Sequence, residues 1–418
     1  MAGRKVSPNL DLNNDVAERR TRGESIVHLA FGEARLPVHP ALKGQLAASS
    51  GENAYGAVPG GRAVRREAAG YFSRRNLPTE PEQVVVAPGS KPLLMAVQFV
   101  VPGDLVIPKP AWNTYKPQGL LAGKQVYEVD IPAECGGVPD PVKLRETVRA
   151  ARAAGGNPRL VVLTLPDNPT GTVVSPELVR EICAVAEEED LYLISDEIYR
   201  DVVHDPATPV LSPAEVLPER TIVTNGLSKT LALGGWRIGV ARFPDNTWGN
   251  SVRDGVISLA SEVWSTLAIP MQEVAAYAFS EPPEVRDRFA RSARLHGAVA
   301  RAVYRIMIGA GATCRPPTGG FYVYPDFEPK RAALEAKGIT DAQSLFRYLF
   351  DEFGIVVLAG DNLGDDSGAL RFKAATSLLY GHTREEQQLA LDAEDPLSLP
   401  HIRDVLTRIE EAFTKLVG

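Results

Sequence analysis

The sequence predicts a large α/β domain with a mostly parallel sheet, followed by a smaller α+β domain. Three observations carry that prediction. From about residue 83 onward, short apolar runs alternate with longer helical patterns. The runs are rich in Val, Ile and Leu without clean polar–apolar alternation, as expected of strands covered on both faces. After about residue 284 this texture gives way to one long helix and a mixture of short strands and helices.

Seven strands are expected in the first part: Val84–Ala87, Leu105–Ile107, Val126–Val129, Leu160–Leu165, Leu191–Ser195, Thr221–Thr224 and Ile238–Arg242. Helical stretches fall between them at Pro92–Phe99, Pro141–Ala153 and Pro176–Glu188. In the second part, Glu284–Ile308 has apolar positions at helical spacing, with Gly309 and Gly311 at and beyond its end. A strand Phe321–Pro325, a helix Asp341–Phe353, strands near Ile355–Leu358 and Ala369–Lys373, and a last amphipathic helix His401–Val417 complete the reading. The expected organisation is therefore an N-terminal arm (1–50) packing with the small domain, a large domain (51–284) and a small C-terminal domain (285–418).

Composition narrows the function classes. The net charge of −7 and the lack of a long Lys/Arg block argue against nucleic acid as partner. Three widely spaced cysteines, Cys135, Cys183 and Cys314, suggest no disulfide framework and a reducing compartment. No Cys or His spacing suggests a metal site. The polar stretch Met1–Asn14 does not resemble a signal peptide, and no apolar run reaches the length of a membrane span, so a soluble cytoplasmic protein is expected.

In an open parallel α/β sheet, ligands bind beyond the carboxyl ends of the strands. Four strand ends carry suggestive residues. Leu160–Leu165 runs into Pro166-Asp167-Asn168-Pro169-Thr170-Gly171, a rigid turn that presents the Asn168 amide. Leu191–Ser195 runs into Asp196-Glu197-Ile198-Tyr199, where an acid at a buried strand end needs a cation or a donor. Thr221–Thr224 runs into Asn225-Gly226-Leu227-Ser228-Lys229-Thr230, and Gly234-Gly235-Trp236-Arg237 follows. Desolvation there would make Lys229 a nucleophile toward an aldehyde, and the Arg237 fork would suit a phosphate. Val84–Ala87 runs into Pro88-Gly89-Ser90-Lys91 and a helix start, whose N–H groups form an anion site. Singly, each feature is also an ordinary turn, cap or surface residue. Together they describe one ligand, a phosphate-bearing aromatic aldehyde whose ring nitrogen wants an anion: pyridoxal phosphate.

Asn225–Gly239, with Asn168–Gly171 and Asp196–Tyr199, resembles the fold-type I pyridoxal-phosphate enzymes, specifically the class I/II aminotransferases. The resemblance covers nearly the whole chain. It implies an aspartate-aminotransferase-like fold and an amino group moved between an α-amino acid and a 2-oxo acid. Lys229 would hold the cofactor as a Schiff base and act as acid/base, Asp196 would pair with the pyridine nitrogen, and Asn168 and Tyr199 would bond the ring's phenolic oxygen. Gly89, Ser90, Lys91, Ser228 and Arg237 would hold the phosphate, and Trp112 would stack on the ring. Arg371 would grip the substrate carboxylate, helped by Gly32, with Asn168 also in reach of substrate. Tyr55 would reach the phosphate of a second subunit, making the active protein a homodimer with shared sites.

Three departures stand out. Many relatives carry a serine where this chain has Gly226, and 378–400 is an insertion before the last helix that starts close to Arg371. No arginine occurs in Ile257–Thr266, where relatives specific for dicarboxylates often place one; Glu262 and Trp264 stand there instead. The same lysine and electron sink also support β- or γ-elimination, cyclisation or carbon–carbon bond formation, which stay open as alternatives at this point.

Overall fold

A computed structural model describes residues 8–132 and 135–418, with residues 8–14 described by backbone alone. Its strands in chain order are β1 (Val27–His28), β2 (Val84–Ala87), β3 (Asp104–Lys109), β4 (Val126–Asp130), β5 (Pro158–Thr164), β6 (Tyr192–Asp196), β7 (Thr221–Gly226), β8 (Gly239–Arg242), β9 (Tyr322–Val323), β10 (Ile355–Val356), β11 (Leu358–Ala359) and β12 (Phe372–Ala375). The seven expected strands β2–β8 form one sheet in the order β2-β8-β7-β6-β5-β3-β4. Only β8 runs antiparallel to its neighbours.

The near-continuous apolar strands follow from burial on both faces. Val84, Val86, Val223 and Val240 pack into one layer with the helices Arg62–Ser73 and Ile269–Ser280. Val85, Ala87, Ile222 and Ala241 point to the other, against Ser90–Val100 and Thr247–Val263. Helix starts are set by their caps. Asp140 and Ser175 accept hydrogen bonds from the backbone N–H of Lys143 and Leu178, and in both cases proline opens the helix, where its missing N–H costs nothing.

A second core gathers Pro283–Gly309, Ala342–Phe353, Arg384–Asp392 and Pro400–Val417 around Phe327, Phe372 and Phe413. Asp341 and Ser344 cap Ala342–Phe353 reciprocally, and Gly354, at φ 61°, ends it. Here the strands differ from expectation. Ile355–Leu358 divides into β10, which pairs with β1 of the arm, and β11, which pairs with β12. Strand β12 begins at Phe372 rather than Ala369, because Ala369 closes a turn onto the Asp366 carbonyl. The arm also divides. Val27, Leu29 and Leu36 join the second core, whereas Leu42 on helix Pro40–Ser49 is buried with Val274 and Ala275 in the first.

The insertion 378–400 is anchored in the second core by Tyr380, Ala390 and Leu391. The Tyr380 hydroxyl meets buried His296 Nδ1 at 2.5 Å. It does not reach the cavity described below; it walls a separate polar cavity of about 590 Å³ shared with Arg20, Arg35 and Arg408.

Candidate active site

The carboxyl ends of β5, β6 and β7 open into a cavity of about 340 Å³. Its lining includes Asn168, Asp196, Tyr199, Ser228, Lys229 and Arg237, together with Ser90, Lys91, Trp112 and Gly32. Residues read from four separate strand ends and from the arm thus converge on one space.

Asp196 closes β6 on the cavity floor and is buried. The parallel register places it beside Thr164 on β5 and Thr224 on β7. Tyr115 Oη donates to its Oδ2 at 2.8 Å and Thr224 Oγ1 to its Oδ1 at 3.1 Å. Burial raises the carboxyl to about 6, while these hydroxyls and the Ile198 N–H oppose the rise. This carboxylate has no ion-pair partner among the described residues, and Asp196 lines the cavity.

Lys229 sits in the short helix Leu227–Thr230 that follows β7 directly. Its Nζ donates to the Gly32 carbonyl at 2.5 Å. Burial above all lowers the amine to about 8; Arg237 and Lys91 add to the shift, and Glu33 and Asp196 oppose it.

Arg237 holds a left-handed conformation (φ 55°) at the end of the turn Gly234–Trp236 and donates from Nη1 to the Gly234 carbonyl at 2.9 Å. Close backbone approach explains the neighbouring glycines. A Cβ on Gly239 would overlap the backbone of Gly89 and Ser90, and one on Gly89 (φ 97°) would overlap the Arg237 guanidinium. The start of helix Ser90–Val100 is therefore held against Arg237. N–H groups, a guanidinium and Ser90 and Ser228 make a fitting phosphate cradle. Gly226 is accounted for in the same way: a Cβ there would lie 2.6 Å from the Ile238 carbonyl oxygen, leaving no room for a serine.

Asn168 is buried with Oδ1 unpartnered, an orphan that calls for a ligand atom or water. Tyr199 Oη pairs with Tyr322 Oη at 2.5 Å, so in this state it is engaged with another phenol. Trp112 meets Tyr115 edge to face, with Lys91 Nζ 5.0 Å from its ring centre.

Tyr55, expected to reach the phosphate of a second subunit, is 92% exposed and lies outside this chain's own cavity. Arg371, expected at the cavity, lies outside it. It is held by Asp326 (2.8 Å) and Asp365 (3.1 Å) and lines a different cavity with Arg315 and Tyr324. Conversely, sequence reasoning missed Tyr115, Thr224, Tyr322, Glu33 and Lys373, all of which line the cavity or bond its residues. Thr224 had a signal in the parallel register beside Asp196; Tyr322 and Lys373 arrive from the second body and had none.

Taken together, a desolvated amine, an unpaired carboxylate below it and an anion cradle beside it suit an aldehyde cofactor with a basic ring nitrogen and a phosphate. The chain is a pyridoxal-phosphate-dependent transferase. It belongs to the family described as aminotransferase class I and II, whose profile matches residues 25–391, and its activity is that of an aminotransferase. Aspartate/prephenate aminotransferase of Thermus thermophilus is 30% identical over 388 residues, covering 89% of this chain and 92% of that protein. Aspartate aminotransferase of Pinus pinaster is 28% identical over 391 residues, covering 90% and 77%. The structure of aspartate aminotransferase from Thermus thermophilus with maleate matches with a TM-score of 0.80 at 26% identity, over 100% of both chains.

Proposed function

We propose that Lys229 holds the cofactor aldehyde and then carries the proton leaving the substrate Cα, with Asp196 as counter-ion to the ring nitrogen. The observation that carries this is the placement of the buried Lys229 amine in one cavity with Asp196 and Arg237. When bound, the cofactor supplies an aldehyde for the amino group and a conjugated ring that accepts the electrons released at Cα. Arg237, Ser90, Ser228 and the N–H groups around Gly89 hold the phosphate. Asn168 donates from Nδ2 to the ring's phenolic oxygen, which leaves its unpartnered Oδ1 to accept from another ligand atom or a water, and Trp112 covers one face. Tyr199 reaches the same oxygen by exchanging its Tyr322 partner for it.

The test loads the protein with pyridoxal phosphate, adds single amino acids without any 2-oxo acid, and analyses products. The reading expects pyridoxamine phosphate and the matching 2-oxo acid in equal amounts. Ammonia, a cyclised product or a lyase product in their place would move the chain to another reaction of the same fold.

Two further outcomes follow from the geometry. Replacing Arg237 by Ala removes charge-assisted hydrogen bonds worth about 1.5–3 kcal/mol, so the dissociation constant for pyridoxal phosphate should rise roughly 10- to 100-fold in equilibrium titration. The pH dependence follows from Lys229, lowered to about 8 chiefly by burial. Below that pH the amine is protonated and above it neutral, so the apoprotein should capture the aldehyde faster as pH rises through about 8 and then level off. Stopped-flow absorbance checks this; a flat profile across that range would count against a desolvated lysine.

The active form is proposed to be a homodimer in which Tyr55 reaches the partner's phosphate site. Exposed Tyr55 and Val263 support it, because their segments are tied by the Thr266 hydroxyl donating to the Ala57 carbonyl at 2.8 Å, which places two uncovered apolar side chains in one surface region. Sedimentation should show a species of twice the chain mass. No helix among the described residues is long and apolar enough to cross a membrane, and the three cysteines are free, which supports a cytoplasmic setting.

A further inference from the structure

The cavity walled by the insertion shares no lining residue with the candidate active site, and the roles proposed above leave it unused. At about 590 Å³ it falls in the size range of small-molecule sites. Three residues that line it carry a buried polar atom with no hydrogen-bond partner among the described residues: Ser377 Oγ, Gln387 Oε1 and His401 Nε2. Ser377 is only 2% exposed, so its hydroxyl has little bulk water to turn to. The Gln387 amide is oriented by Nε2 donating to the Gly381 carbonyl at 3.2 Å, which leaves an oxygen that can only accept. Buried polar groups are nearly always paired, and three orphans on one cavity point to a ligand that brings hydroxyl groups to them.

The charge on the wall points to an anionic group on the same ligand. Arg20 from the first helix, Arg35 from the arm and Arg408 from helix Pro400–Val417 all line the cavity. Arg35 is held by Glu33 at 2.8 Å, but Arg20 and Arg408 form no ion pair among the described residues. Arg20 donates to the Ile26 carbonyl at 3.4 Å, and Arg408 is fixed by the Ser25 hydroxyl (2.6 Å) and the carbonyls of Ser25 (2.6 Å) and Phe353 (2.9 Å). Burial first and Arg35 second lower Arg20 from the ordinary arginine range, so the two guanidinium groups repel each other. Of the carboxylates on the wall, Glu24 is drawn to Arg19 and Arg22, and Asp404 stands apart. Guanidinium groups from three segments suit a tetrahedral oxyanion, which accepts from several directions, better than a planar carboxylate, which one fork satisfies. Tyr380, His382 and Gln387 come from the insertion 378–400, which thus builds part of this wall.

We propose that the cavity between the arm, the insertion and the last helix binds a phosphate ester of a small polyhydroxylated molecule. Its phosphate lies at Arg20, Arg35 and Arg408, and its hydroxyls lie at Ser377, Gln387 and His401. This holds whatever reaction the active site performs. The test titrates sorbitol 6-phosphate, sorbitol, inorganic phosphate and gluconate into the cofactor-loaded protein and measures each dissociation constant by calorimetry. None of the four carries an aldehyde or an amine, so none forms a Schiff base with a lysine or with the cofactor. Cofactor absorbance is followed alongside, because a phosphate compound that entered the active site would displace the cofactor.

Sorbitol 6-phosphate is expected to bind at a single site per chain, at least about 10-fold more tightly than the other three compounds, with the cofactor absorbance unchanged. Arg20→Gln should weaken sorbitol 6-phosphate and inorganic phosphate alike, by at least about 5-fold. Ser377→Ala should weaken sorbitol 6-phosphate by about 5-fold and leave inorganic phosphate unchanged, because only the ester has hydroxyls to lose a partner. Thermal melting separates lost binding from lost folding, and if Ser377→Ala does not fold, Gln387→Leu gives the same comparison. No binding of sorbitol 6-phosphate, binding no tighter than that of gluconate, or binding that displaces the cofactor would each overturn the proposal. So would an affinity for sorbitol 6-phosphate that is unchanged in Arg20→Gln or in the folded Ser377→Ala protein.

Discussion

Lys229→Ala is expected to abolish measurable amino-group transfer while leaving the fold intact. The side chain ends in a cavity, and its one hydrogen bond, to the Gly32 carbonyl, belongs to a carbonyl that a water can satisfy once the amine is gone. What is lost is chemical: the amine that receives the aldehyde and the group that carries the Cα proton. General acid–base catalysis alone is worth about 10²–10⁴-fold, and the covalent role adds to it. The single-turnover rate should therefore drop by at least about 10⁴-fold, with a melting temperature close to that of the parent protein. Because the phosphate cradle is untouched, pyridoxal phosphate should still bind, but without the absorbance change that covalent capture gives. A variant that retained the parent rate would remove Lys229 from the mechanism.

Asp196→Asn is expected to give the second-largest effect. Its carboxylate is buried, bonded by the Tyr115 and Thr224 hydroxyls, and lies under the ring position proposed above. The amide keeps the shape and loses the charge. A fixed charge facing developing charge in a water-poor site is worth about 10²–10³-fold, so kcat should fall by that amount. The KM for the amino acid should change little, since the role proposed for Asp196 is toward the ring nitrogen and not the substrate. Steady-state kinetics with the best amino-acid donor separates the two parameters; a large rise in KM with kcat preserved would place Asp196 on the substrate side instead.

Much of this site was legible because of one geometric regularity. Asn168, Asp196 and Lys229 each stand at or just beyond the carboxyl end of a strand in the parallel part of the sheet, and such strands end at a common edge, so sequence order alone brings them together. Seven strands could be recognised because burial on both faces leaves a strong apolar signal. The short strands of the second body gave a weaker signal: β10 and β11 are two residues each, and their pairing with the arm and with β12 is a matter of tertiary contact.

Arg371 shows where pattern stops being informative. Arg371 and Lys373 stand two residues apart on an extended segment and so share a face, and nothing in their spacing says which of them reaches the cavity. Asp326 and Asp365, 45 and 6 residues away, decide it by drawing the guanidinium to themselves. Gly226 is the opposite case. It looked like a missing phosphate ligand, and the structure explains it as a glycine demanded by the approach of Ile238 and Gly239.

The most direct test of the account is to locate the lysine that holds the cofactor. Three lysines, Lys91, Lys229 and Lys373, line the cavity, and all three are lowered from the ordinary lysine range, burial being the first cause in each. Borohydride reduction of the pyridoxal-phosphate-loaded protein, followed by digestion and mass spectrometry, fixes the cofactor to whichever amine carries it. The account predicts a single modified peptide bearing the pyridoxyl group on Lys229. Stoichiometric modification of Lys91 or Lys373, with Lys229 unmodified, would contradict it.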